Sequence, residues 1–145
     1  MMPEAIELVI VTPEKQLLRG KAVDVQMPGE NGYLGILPGH APLMTELGIG
    51  ELSYHDGGGK EPRHIAIVRG FAEVLPDRVT VLAETAERAE EIDLQRAKDA
   101  LARAEKRLAS NDPNIDWDRA SIALQRALIR IQVATKRRSA LVSGS

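Results

Sequence analysis

The chain has 145 residues, 43% of them apolar and 28% charged, which suits a packed core and excludes wholesale disorder. A formal net charge of −2 and only four aromatics, Tyr33, Tyr54, Phe71 and Trp117, argue against a nucleic-acid binder. The absence of cysteine excludes disulfides, thiolate metal sites and a cysteine nucleophile. No apolar run approaches the ~20 residues of a membrane span, and the start lacks a signal-peptide pattern. A soluble, cytosolic protein is expected.

The chain changes character near Ala83. Eleven of the twelve glycines and seven of the eight prolines precede it, punctuating short apolar runs. Ile6 to Val11 is apolar on nearly both faces, as in a buried strand. Val23 to Met27 alternates at period two, and Ile65–Val68, Phe71–Leu75 and Val79–Leu82 repeat the pattern. Leu75-Pro76-Asp77-Arg78 reads as a tight turn. Short strands with regular turn signals predict a sandwich or barrel.

From Glu84 onward Ala, Leu, Glu, Arg and Lys dominate, the strong helix formers. Asp93 is a predicted N-cap, and Ala97, Ala100, Leu101, Ala104 and Leu108 form one stripe. Ser110 to Asn114 stops the helix. Asp116 caps a second, whose expected stripe is Trp117, Ala120, Leu124, Ala127, Leu128, Ile131 and Ala134. So short a loop favours an antiparallel hairpin. Its alanine seam buries little area, so a hairpin that can open is physically plausible. The fold class is thus an all-β sandwich N-terminal domain plus an α-helical hairpin C-terminal domain.

No catalytic constellation is legible. His40, His55 and His64 lack metal-ligand spacing, so no metal site is expected. Gly57-Gly58-Gly59-Lys60 lacks the phosphate-loop spacing and reads as a hairpin loop. The arginines are more informative. Arg119, Arg126 and Arg130 project within about 40° of one another on a helix, and Arg96 and Arg103 flank the first alanine stripe. These five either line one edge of the seam for an anion or form a solvated face with pairs such as Asp99–Arg103. After Arg119 there is no acid, and Lys136, Arg137 and Arg138 make the last helix cationic. Such a rod is simply solvated, or docks on an acidic partner or on phosphates.

The segment Gly32 to Leu43, with Gly35-Ile36-Leu37-Pro38-Gly39-His40-Ala41-Pro42 inside it, resembles the signature of the epsilon-subunit family of rotary ATP synthases. Gly70-Phe71-Ala72-Glu73-Val74 and Val79 to Glu84 resemble that family's last sandwich strands. The resemblance runs from Ile6 to about Lys136. It implies a sandwich over residues 1–86 that binds the gamma subunit and the c-ring. It also implies a two-helix regulatory domain over 87–138 and a flexible tail over 139–145.

What the resemblance implies for function is a central-stalk subunit coupling proton translocation to ATP synthesis by rotation, and inhibiting ATP hydrolysis through its helices. Catalysis belongs to other subunits, no cofactor is required, and ATP is a regulatory ligand. Expected partners are the gamma subunit, the c-ring and the alpha and beta subunits, with no nucleic acid. The expected location is peripheral, on the cytoplasmic face of the bacterial plasma membrane, reached only through the complex. Subunit contacts are implied for Glu30, Asn31, Gly32, Tyr33, His40, Lys136, Arg137 and Arg138. Tyr33 stands where the family often has an acid, and Glu30 is the available substitute charge. Ile92-Asp93-Leu94-Gln95-Arg96-Ala97 resembles the nucleotide motif of some bacterial members. With it, Glu87, Ile92, Asp93, Arg96, Ala97, Arg103, Arg119, Arg126 and Arg130 form the implied ATP-binding set. Two alternatives come from other classes: a free-standing ligand-binding sandwich whose hairpin drives oligomerisation, and a metal-dependent enzyme using the histidines.

Overall fold

A computed structural model describes residues 4–59 and 61–143, with side chains as far as Lys136. The chain divides after Arg88 into a sheet unit and a helical unit. The sheet unit contains β1 Ile6–Val11, β2 Gln16–Ala22, β3 Asp24–Gly29, β4 Gly32–Ile36, β5 Leu43–His55, β6 Arg63–Leu75 and β7 Arg78–Arg88. Their hydrogen-bonded order is β2-β1-β7-β6-β5-β3-β4. β1 lies between β2 (antiparallel) and β7 (parallel), which is why its sequence is apolar on both faces.

Ile6, Leu8 and Ile10 of β1 share one buried core with Val25 and Met27 of β3 and Ile36 of β4. Those strands stand near opposite ends of the hydrogen-bonded order, so the sheet folds over and closes a sandwich. The fold-over requires long strands that change direction. β5 and β6 have 13 residues each, and β6 bends where Arg69 (φ 53°) and Gly70 (φ 153°) enter left-handed space. A Cβ on Gly70 would lie 2.0 Å from the Leu82 carbonyl oxygen, so no other residue fits there.

The expected strands and the Pro76 turn are present, with β6 running unbroken through two of the runs read separately. β2, β4 and β5 carried no strand expectation. β2 is an edge strand whose Arg19 and Lys21 blur its alternation, and Arg19 reaches Glu7 on β1 at 2.7 Å. The conspicuous Leu37 to His40 stretch has a folding role. His40 N–H donates to the Leu37 carbonyl at 3.1 Å, and Gly39 N–H to the Pro76 carbonyl at 2.7 Å. This pins the loop after β4 to the β6–β7 turn.

The unit boundary falls after Arg88 rather than after Ala86, because β7 stays paired with β6 as far as Arg88 opposite Ile65. A single 3₁₀ turn, Ala89–Glu91, opens the helical unit, followed by α1 Leu94–Leu108 and α2 Trp117–Ser143. Asp93 caps α1, accepting the Arg96 N–H at 3.1 Å, and Asp116 caps α2 through the Arg119 N–H at 3.0 Å. The helices pack on each other with Ala97 and Ala104 of α1 and Ala120, Ala127 and Ala134 of α2 buried. Each set has a seven-residue spacing, so small side chains recur at the seam.

Two expected seam residues are exposed. Trp117 is 54% exposed and Leu128 49%, whereas Ile129 and Val133 are buried. Trp117 opens α2 at the connection, and Leu128 is turned 100° away from Ala127. The expected Asp99–Arg103 pair also gives way, since Asp99 accepts from Gln95 at 3.0 Å. The tail expected from residue 139 is helical to Ser143. No glycine or proline interrupts the sequence between Pro113 and Gly144. Residues 144 and 145 lie outside the described residues.

Candidate functional site

On the helical unit, the Ile92 to Ala97 motif proves to be partly structural. Ile92 is buried, Asp93 caps α1, and Ala97 is fully buried on the helix that packs against α2. Asp93 and Arg96 are both exposed, and the Arg96 side chain has no partner among the described residues. Glu87 belongs to β7 of the sheet unit, while the other members of the implied nucleotide set stand on the helical unit.

The five arginines do not share one cleft. Arg103 and Arg119 meet, together with Lys106 and Arg107, in an open cleft of about 690 Å³ at the hairpin connection. Arg96, Arg126 and Arg130 are not part of its lining. Arg126 is exposed, whereas Arg130 is half-buried, with its Nε shielded from solvent. Lys136 is exposed near the far end of α2. The side chains of Arg137 and Arg138 lie outside the described residues.

On the sheet unit, Glu30, Asn31, Gly32 and Tyr33 are all exposed, at and just after the β3–β4 turn. Together with the Leu43 to Glu46 stretch of β5 they line a shallow cleft. The Glu30 N–H donates to the Glu46 carbonyl at 3.0 Å, which also brings the two carboxyl groups together. A hydrogen bond that the protonated Glu46 carboxyl donates to the Glu30 carboxylate, the negative charge of Glu30 and slight desolvation raise the Glu46 carboxyl above its ordinary value. Glu46 was not legible as a site residue, because only the fold sets it beside Glu30. Both carboxyls also line a larger cleft that contains Arg69, Glu84 and the half-exposed Phe71 and Leu82.

The histidines are engaged separately. His40 Nδ1 lies 2.7 Å from the Ala41 carbonyl, and His55 Nδ1 lies 2.9 and 3.0 Å from the two Asp24 oxygens. His64 Nδ1 is 2.9 Å from Glu51 Oε1 in a largely buried pair. Among the described residues no three His, Asp or Glu side chains gather as a metal site, and no helix is long and apolar enough to cross a membrane.

The chain thus combines a folded-over seven-stranded sheet with a following two-helix unit. Residues 5–89 match the family described as ATP synthase, Delta/Epsilon chain, beta-sandwich domain. Residues 90–135 match its long alpha-helix domain. The chain belongs to the ATP synthase delta/epsilon chain family, whose members are central-stalk subunits of that enzyme complex.

The ATP synthase epsilon chain of Solibacter usitatus is 50% identical over 136 residues, covering 94% of this chain and 100% of the relative. That of Koribacter versatilis is 57% identical over 112 residues, covering 77% and 78%. Among solved structures, a chain of the Euglena gracilis mitochondrial ATP synthase, in an OSCP/F1/c-ring assembly, superposes with a TM-score of 0.80. It is 26% identical, with 93% of this chain and 84% of that chain covered. Family membership removes the free-standing sandwich as a reading.

Proposed function

We propose that the chain is a non-catalytic coupling and regulatory subunit of its ATP synthase. The sheet unit docks on the gamma subunit and the c-ring, with Glu30 to Tyr33 facing the ring, and His40 lies in the adjoining subunit-facing loop. The helical unit restrains ATP hydrolysis by the catalytic subunits, through a cationic stretch that includes Lys136, Arg137 and Arg138. The subunit sits peripherally on the cytoplasmic face of a bacterial plasma membrane, held there by the complex.

The observation that carries the regulatory part is the alanine seam between α1 and α2. Burial is worth about 0.8 kcal/mol per CH₂-sized group, so an alanine contributes far less than a leucine would. Such a hairpin is weakly closed. Laid end to end, its helices of 15 and 27 residues would reach about 63 Å.

ATP is the proposed ligand of the closed form, recognised on the helical unit by Asp93, Arg96, Arg103, Arg119, Arg126 and Arg130. Ligand at 100 times its dissociation constant adds about 2.7 kcal/mol to whichever state binds it. That is enough to decide between two nearly balanced arrangements. Calorimetry of the isolated chain with millimolar ATP tests this. A saturable heat with thermal stabilisation is expected, and its absence would overturn the ATP reading while leaving the stalk role intact.

A further inference from the structure

We propose that the connection end of the helical hairpin adds Lys106 and Arg107 to Arg103 and Arg119 as a site for a compact phosphate anion of the inorganic phosphate or pyrophosphate class. Arg103, Lys106 and Arg107 occupy one face of α1 at i, i+3 and i+4, and Arg119 joins them from the first turn of α2. None of these four side chains has an ion pair among the described residues. Arg103 and Arg119 also stand in the proposed ATP set, so the site rests on that reading for two of its cations and extends it by Lys106 and Arg107. Fourteen residues of helical rise, about 21 Å, separate Asp93 from Arg107.

Uncompensated, this arrangement is unfavourable. Like charges at i, i+3 and i, i+4 repel by a few tenths of a kcal/mol each. Lys106 and Arg107 gain from the carbonyl end of α1, but Arg119 stands at the amide end of α2, where a cation opposes the helix dipole. The two acids lining the cleft are already employed. Asp112 accepts the Asn114 N–H at 2.9 Å, and Asp116 accepts the Arg119 N–H at 3.0 Å. Ser110 Oγ accepts the Asp112 N–H at 3.1 Å, leaving its own hydroxyl proton to donate.

These features select the ligand. Guanidinium forks bind phosphate oxygens bidentately, and three of them with one ammonium match an anion bearing several such oxygens. The four cations outnumber the carboxylates of Asp112 and Asp116 in the same lining, so the cleft is net positive.

Pyrophosphate, titrated into the full chain at constant ionic strength, should give a saturable calorimetric heat. Lys106→Gln/Arg107→Gln should weaken that response about tenfold or more, from two lost charge-assisted bonds. Arg119→Gln, on the other helix, should weaken it too. Circular dichroism checks that the variants keep their helices. Lys98→Gln, which removes charge elsewhere on α1, should leave the response unchanged. The proposal is overturned by no saturable response in the wild type, or by an equal loss in Lys98→Gln. A response to polyglutamate alone overturns it as well, and so does loss in Arg96→Ala while the double variant still responds.

Discussion

The Tyr33 hydroxyl accepts the backbone N–H of Glu51 at 3.0 Å, bridging β4 to β5 across the intervening β3. The β3–β5 register slips between Gln26 and Gly29, a stretch that includes Pro28, so the Glu51 amide meets no regular ladder partner there. The tyrosine supplies one. Gly50 makes room for it, since a Cβ at that position would stand 2.9 Å from the hydroxyl and 2.6 Å from the Pro28 Cβ. Tyr33 therefore repairs the chain's own sheet.

Tyr33→Phe should therefore destabilise the sheet unit by about 1 kcal/mol, the usual net value of one such hydrogen bond. Chemical denaturation of the isolated chain measures it. A variant as stable as the wild type would show that water replaces the hydroxyl without cost.

Gly70→Ala should be far more severe. Its φ of 153° is glycine territory, and the added carbon would overlap the Leu82 carbonyl, which is backbone and cannot swing away. A loss of about 3 kcal/mol or more is expected in the same denaturation experiment. A loss below about 1 kcal/mol would mean that the bend of β6 is not the fixed hinge of the sandwich.

Glu46→Gln should stabilise the chain in a pH-dependent way. The Glu46 carboxyl titrates above its ordinary value of 4.5 because Glu30 bonds and repels it. A raised carboxyl favours the folded state at low pH, and that contribution is lost as the pH rises through the raised value. The variant should thus melt above the wild type at pH 7 to 8, with the gap closing as pH falls toward the ordinary carboxylate range. A gap that does not change with pH would rule out the carboxyl pair as its source.

Much of this architecture was legible because strong local signals agreed with the final packing. The apolar run of β1, the Pro76 turn and both aspartate caps lie where local chemistry puts them. The missed strands are those whose local signal was diluted. β2 carries edge charges, β4 is interrupted by two glycines, and β5 contains Gly48 and Gly50 at the fold-over. Pairings such as Glu30 with Glu46, Tyr33 with Glu51 and His64 with Glu51 join residues 13 to 18 positions apart. No periodicity carries that information. Helix geometry left the five arginines as one edge of the seam or a solvated face; of the five, the cleft gathers only Arg103 and Arg119, with Lys106 and Arg107 beside them.

Asp93 and Arg96 share a motif yet should separate cleanly by experiment. Asp93 accepts the Arg96 N–H and so holds the first turn of α1, whatever its part in nucleotide binding. Replacing it with alanine removes an N-cap, at a cost of about 1 kcal/mol, and should lower the melting midpoint of the helical signal without ligand. The Arg96 side chain has no partner among the described residues and is exposed, so Arg96→Ala should leave that midpoint within about 0.5 kcal/mol of wild type. With ATP present the two variants should converge. Both should lose the calorimetric heat, Asp93→Ala because the turn that presents Arg96 is frayed, Arg96→Ala because the guanidinium is gone. An Arg96→Ala chain that binds ATP as the wild type does would reduce the motif to a folding signal, with Ile92, Asp93 and Ala97 fully explained by burial and capping.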